Sequence, residues 1–212
     1  TISRLTHTLC TLGYLVADTR TGTYRLGAGV LQLGFGVMAG MDIGERAEEE
    51  MTALRNGPNS YITVALGERH RFDVVYVAVQ PSREDVSLSM RVGSRLPLFF
   101  SAIGRAILVG MSAEERDAIF AEADRLEPEE AEARRESYAK AAEEYAAHGY
   151  CSGYGEWRSD VNGIAVPLYS LGGARVYGLN VGGPSFHVKK RQLETVYAKR
   201  LIQAADALSI RS

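Results

Sequence analysis

Few residues of this 212-residue chain have the types and spacing for bond-making chemistry. Its four histidines, His7, His70, His148 and His187, form no His-x-x-x-His pair and no His-Glu-x-x-His, the spacings that set two imidazoles on one helix face around zinc. "HGYC" places His148 and Cys151 three apart, but two ligands do not make a tetrahedral site. Cys10 and Cys151 belong to no Cys-x-x-Cys motif, give no disulfide framework, and fit a reducing cytoplasm. Ser101 stands in "FFSAIG" rather than in the Gly-x-Ser-x-Gly elbow of a hydrolase nucleophile. In "GYGEWRSD", Glu156 and Asp160 are four apart, a spacing open to acid/base work, but the stretch reads as a surface loop. The glycine doublets at 172–173 and 182–183 lack the strand-to-helix setting of a phosphate loop. An enzyme is therefore not expected, and neither is a cofactor.

Residues suited to a polyanion lie in the first stretch, "TISRLTHTLCTLGYLVADTRTGTYRLG". Ile2, Leu5, Leu9 and Leu12 recur at helical spacing, while Ser3, Arg4, His7, Thr8 and Thr11 fall on the other side. Gly13 stops the helix, and two arms, Tyr14 to Ala17 and Thr23 to Leu26, flank the turn "DTRTG". Residues 1–28 hold three arginines against one aspartate, although the whole chain carries a net charge of −2. A helix followed by a two-stranded wing is the second half of a winged helix-turn-helix, whose last helix enters the major groove while the wing rests on phosphates. Thr1, Ser3, Arg4, His7, Thr8, Arg20 and Arg25 would then face DNA. On residues alone, a surface helix beside an ordinary hairpin is an equal reading.

The elements after it must hold something else. "GVLQLGFGVMAGM", apolar and glycine-rich, reads as a linker helix over 29–41, and "GERAEEEMTALRN" as an amphipathic helix ended by Asn56-Gly57-Pro58. "YITVAL", a turn at "GERH", and "FDVVYVAV" read as a hairpin, with "VSLSMRV" as a third strand. "SAIGRAILVGM" returns to helix. Residues 113–147 are helical, with twelve acidic against five basic residues, and read as a solvated face. "GIAVPLY" and "ARVYGLNV" form another hairpin, and a last helix turns Val188, Val196, Leu201 and Leu208 inward. The longest apolar run, "LPLFFSAIGRAILVG", is short for a membrane span and contains Arg105, so it reads as core. The fold class is α+β: a partial winged helix-turn-helix (1–28), a linker helix (29–41), and a domain of antiparallel sheet flanked by helices (42–212).

In order, the pieces resemble the IclR-type bacterial transcriptional regulators over nearly the whole chain. "TISRLTHTLCTLGYL" is similar to their recognition helix and "TGTYRLG" to the end of their wing. "LPLFFSAIGRAIL" is similar to their Leu-Pro-Leu, small-residue, Gly-Lys-Ala signature, and "HGYCSG", "GIAVPLY" and "GLNVGGP" to the motifs of their effector domain. The resemblance implies a cytoplasmic homodimer or homotetramer, without membrane contact, that binds double-stranded operator DNA and, in a GAF-like domain, a small organic acid effector. The first two helices of the DNA-binding unit precede the part seen here, so feeble DNA binding is expected of this stretch alone.

The same resemblance implies an effector pocket. The backbone around Ala102 and Ile103, with Ser101 beside it, would approach a carboxylate; Leu88, Met90 and Leu96 would form an apolar wall; Val161, Gly163, Asn180 and Gly182 would complete it. The chain departs from the family pattern at Gly163 (often Cys), at Asn180 and Gly182 (small hydroxyl residues), at Phe99 (His) and at Arg105 (Lys). Near Gly153 and Tyr154 the acidic residue of the pattern is missing. Fewer short polar side chains and more open volume point to an aromatic or branched acid. The competing reading is a small-molecule sensor or protein-interaction module without DNA binding.

Overall fold

The structure, a computed structural model, describes residues 2–40, 44–84, 90–170 and 173–209. The chain divides into two compact units, Thr1–Gly44 and Glu45–Ser212.

The first unit contains α1 (Ile2–Thr11), β1 (Leu15–Asp18), β2 (Thr23–Leu26) and α2 (Gly29–Ala39). Gly13 ends α1 at φ +75°, where its N–H donates to Cys10 O at 3.0 Å and the Tyr14 N–H to Leu9 O at 2.9 Å. This paired closure needs a left-handed residue, which glycine supplies. Asp18 fixes the hairpin tip by accepting from the N–H groups of Arg20 and Thr21 at 2.9 and 3.3 Å. The Arg20 hydrogen bond leads in holding the Asp18 carboxyl below its ordinary value. The apolar stripe of α1 faces outward more than its pattern suggests: Ile2, Leu5 and Leu12 are exposed, and Leu9 is half-buried.

The second unit opens with α3 (Gly44–Arg55), which buries Ala47, Met51 and Leu54. A six-stranded antiparallel sheet follows, built from β3 (Thr63–His70), β4 (Asp73–Gln80), β5 (Arg95–Pro97), β6 (Cys151–Tyr154), β7 (Val161–Tyr169) and β8 (Val176–Pro184) in the order β5-β4-β3-β8-β7-β6. Between β5 and β6 run α4 (Ala102–Gly110), α5 (Ala113–Leu126), a 3₁₀ turn (Pro128–Glu130) and α6 (Ala131–His148). After β8 come α7 (Lys190–Gln192), a π-helical turn (Leu193–Tyr197) and α8 (Ala198–Ser209).

Alternation sorts the two faces of the sheet. Val64, Leu66, Ile164, Val166, Leu179 and Val181 are buried on the face where α8 packs with Leu201 and Ala204. The other face carries small residues, Ala65, Gly67, Ala165 and Gly178, and α4 lies against it with Ala102 to Leu108 all buried. Side chains of ordinary size would hold α4 off: a Cβ on Gly67 or Gly178 would come within 2.8 or 2.4 Å of Ile103. Pro167 sits where β7 has run past β6, so its missing N–H breaks no ladder there.

Three local readings change. "GERH" is strand, not turn; the chain reverses at Arg71 and Phe72, with Arg71 at φ +56°. Of the expected third strand, Met90–Val92 is not extended into the sheet, its preceding residues 86–89 lie outside the described residues, and the strand on β4 is Arg95–Pro97. Val188 is buried, but it precedes the last helix. The acidic stretch is largely exposed, yet Arg134 within it is 1% exposed. Its guanidinium donates to Ala123 O at 3.1 Å and to Glu127 O, closing the end of α5, and pairs with Asp124, Glu127 and Glu130.

Candidate functional site

The start of α4 is set by its capping serine. Ser101 is extended at φ −96° and ψ 151°, and its hydroxyl accepts from the Gly104 N–H at 3.1 Å while donating to Pro97 O at 2.7 Å. Its one proton is therefore used within the fold. The Ala102 and Ile103 N–H groups have no acceptor among the described residues. Unpaired amides at a helix start, reinforced by the helix dipole, attract an anion.

A narrow cavity opens in front of them. It is lined by sheet residues, with Thr63, Tyr76, Leu96 and Asn180 among them, and by Met90, Phe100, Trp157 and Arg158 from outside the strands. About 40 Å³ is open to the centre of a water-sized sphere. That is below the roughly 150 Å³ of a cavity that accepts benzene, so a ligand of that size enters only as the walls part. No side chain fills the space above Gly163, where a Cβ would meet only the backbone of β8 at 3.4 Å and beyond.

Polar groups in this slot are only partly matched. Asn180 Nδ2 donates to the Tyr76 hydroxyl at 3.2 Å, while Asn180 Oδ1 and Thr63 Oγ1 are buried without a hydrogen-bond partner. Burial pushes the Tyr76 phenol well above its ordinary value, so it stays protonated. Arg158 chelates Asp160 at 3.0 and 2.6 Å and lies 5.6 Å from the centre of the Trp157 ring.

Behind the α4 start, Arg105 is 4% exposed and donates to Ser137 Oγ and Ser152 O, each at 2.9 Å, and to Glu156 at 2.5 Å. Lys140 also pairs with Glu156. Burial alone would raise the Glu156 carboxyl, but hydrogen bonds from Lys140 and Arg105 outweigh it and hold the group below its ordinary 4.5. A carboxyl depressed in the folded state adds stability above that ordinary value, and the contribution is lost as pH falls through the folded value. Glu156→Gln should therefore melt at a lower temperature than the unsubstituted chain at pH 7, with the gap closing under acid, as followed by circular dichroism.

With Glu156 and Asp160 both engaged by cations, no free carboxylate pair faces the cavity from this loop. Burial, then the Glu144 carboxylate, push the Cys151 thiol up to about 12, which leaves it a poor nucleophile. His148 stacks against Tyr150 with ring centres 5.9 Å apart. Among the described residues no cluster of three or more His, Cys, Asp or Glu is placed to hold a metal, and no helix is long and apolar enough to cross a membrane.

Met90, Leu96, Ser101, Ala102, Ile103, Val161, Gly163, Asn180 and Gly182 all line this one cavity. Leu88 lies outside the described residues. Thr63, Tyr76, Phe100, Trp157 and Arg158 also line it, none of them among the residues that the sequence pattern points to. In the first unit Ser3, Arg4, His7 and Thr8 are exposed on α1, Arg20 at the hairpin tip and Arg25 on β2. Thr1 lies outside the described residues. The Thr8 hydroxyl donates to Arg4 O at 3.0 Å, leaving it only an acceptor for anything outside.

Comparison with known proteins assigns the ancestry. Residues 35–210 match the family model described as bacterial transcriptional regulator IclR C-terminal. The chain belongs to the IclR family. It is 31% identical over 187 residues to the HTH-type transcriptional regulator TsaQ1/TsaQ2 of Comamonas testosteroni, a match covering 87% of this chain and 66% of that protein. It is 27% identical over 209 residues to the Pca regulon regulatory protein of Pseudomonas putida, covering 98% of this chain and 70% of that one. An IclR family regulator from Brucella abortus of known crystal structure superposes with a TM-score of 0.87 at 36% identity, covering 98% of this chain and 78% of that one. The curled antiparallel sheet with flanking helices is thus the effector-domain fold of IclR proteins, a family of transcriptional regulators rather than of enzymes. The chain spans about two thirds of the length of these two curated relatives.

Proposed function

We propose that this chain is the greater part of a ligand-responsive, cytoplasmic DNA-binding regulator acting as a homodimer or homotetramer. A small organic acid binds in the slot before α4, and α1 with its hairpin lies on double-stranded operator DNA. The observation that carries the ligand side is the pair of unpartnered amides of Ala102 and Ile103 at the head of a mostly apolar cavity.

On the DNA side, exposed Arg4, Arg20 and Arg25 support the reading, since none makes an ion pair among the described residues. Effector binding shifts the linker region between two arrangements of paired α1 helices, and its differential affinity for the two sets the response. Arg4→Ala and Arg20→Ala in the intact gene product should each weaken operator binding by about 1–3 kcal/mol if they read bases. A phosphate contact would instead flatten the salt dependence. Gel-shift titration at two salt concentrations separates these.

Exposed Leu5 and Leu12 on α1, with Leu31 and Phe35 on α2, support the second reading, a sensor or protein-interaction module. Unchanged operator affinity in both arginine variants would favour it.

A further inference from the structure

The cavity floor follows a register that spans four strands. Gly153 of β6 lies opposite Gly163 of β7, Gly163 opposite Gly182 of β8, and Gly182 opposite Thr63 of β3. Directly opposed residues in antiparallel strands present the same face. Three glycines and a threonine therefore form one furrow across the sheet. At one end a Cβ on Gly153 would lie 3.0 Å from the Ala102 nitrogen, so this end touches the free amides of α4. In the middle, a Cβ on Gly163 would meet only the backbone of β8, at 3.4 Å and beyond, so the space above it is open. At the far end stands Thr63, 5% exposed, with its hydroxyl unpartnered. Two residues along β8 from Gly182, and on the same face, Asn180 adds a second unpartnered oxygen beside the Tyr76 hydroxyl.

Polar atoms buried without partners are costly, and natural interiors seldom keep them unless something else completes the pairing. Here two such atoms share one cavity wall. A hydroxyl suits them, because it donates to Asn180 Oδ1 and accepts from Thr63 or Tyr76; a carboxylate, which only accepts, would set its charge against the Asn180 oxygen.

We infer that the furrow takes an elongated ω-hydroxy acid, with its carboxylate on the Ala102 and Ile103 amides and its hydroxyl between Thr63 and Asn180. This rests on the reading of the cavity as an organic-acid site. Three steps of about 4.8 Å separate Gly153 from Thr63, roughly 14 Å in all. Allowing about 3 Å for a hydrogen bond at each end leaves on the order of 8 Å between the ligand's polar groups. A two- or three-carbon acid cannot reach both ends.

The test measures binding of two matched pairs to the purified 212-residue chain by calorimetry and thermal shift. The pairs are 6-hydroxyhexanoate against hexanoate, and 4-hydroxyphenylacetate against phenylacetate. In at least one pair the hydroxylated acid should bind about tenfold more tightly or better, the discrimination expected of a site with buried groups waiting for that hydroxyl. Thr63→Val, which keeps the side-chain shape, should cut that preference at least about threefold, while Thr63→Ser restores it. The melting temperatures of the unliganded variants establish that each folds. Equal binding within both pairs overturns the hydroxyl inference and leaves the acid site standing. No binding by any of the four acids overturns both.

Discussion

Replacing Arg105 with alanine is expected to destabilise the Glu45–Ser212 unit by about 3–5 kcal/mol, the usual cost of removing one partner of a buried ion pair. Three elements converge on its guanidinium: Ser137 from α6, the Ser152 carbonyl from β6, and Glu156 from the loop after β6. Alanine leaves these polar groups facing a cavity where a side chain stood. Lysine keeps the charge but cannot deliver three directed donors at once, so Arg105→Lys should lose less, and lysine is what the family pattern has at this position. Urea denaturation followed by tryptophan fluorescence reads both variants, since Trp157 lies in the same loop as Glu156. An alanine variant within about 1 kcal/mol of the unsubstituted chain would mean that the three groups find other partners.

Gly153→Ala is expected to fold and to lose acid binding. Its methyl would sit 3.0 Å from the Ala102 nitrogen and 3.3 Å from the Ala102 Cβ, a crowding that a shift of a few tenths of an ångström relieves. The amide meant for a carboxylate is then covered by carbon. A hydrogen bond to a charged group contributes about 1.5–3 kcal/mol, so affinity for the tightest-binding acid should fall roughly ten- to a hundredfold. Calorimetric titration gives the affinity, and the melting temperature of the unliganded variant gives the control. Undiminished affinity would move the carboxylate elsewhere in the slot.

Local patterns revealed the elements better than they revealed the site. Ser101 was legible as a helix start, and the alternation in "GIAVPLY" and "ARVYGLNV" as strands. Gly67 misled for a definable reason: in a string with Glu68, Arg69 and His70 it looks like a turn, but it is buried, and its missing side chain admits Ile103. Its cause lies in α4, more than thirty residues along the chain. The same holds for the furrow. Gly153, Gly163, Gly182 and Thr63 become neighbours only through a register shared by four strands, and no window along the chain contains them all. Thr63 and Tyr76 look like ordinary β-formers until the cavity shows what faces them. The family resemblance supplied the start of α4 together with Val161, Gly163, Asn180 and Gly182, while Thr63 and Tyr76 emerged only from the cavity lining.

The order β5-β4-β3-β8-β7-β6 makes the last strand in sequence a central strand in space. While a ribosome is still adding residues ahead of Val176, β3 and β7 each have one edge without the partner that β8 will later bring. Such edges recruit strands from other nascent chains. Synthesis that stalls late, or a premature stop codon just before β8, should therefore yield inclusion bodies rather than a soluble shortened product.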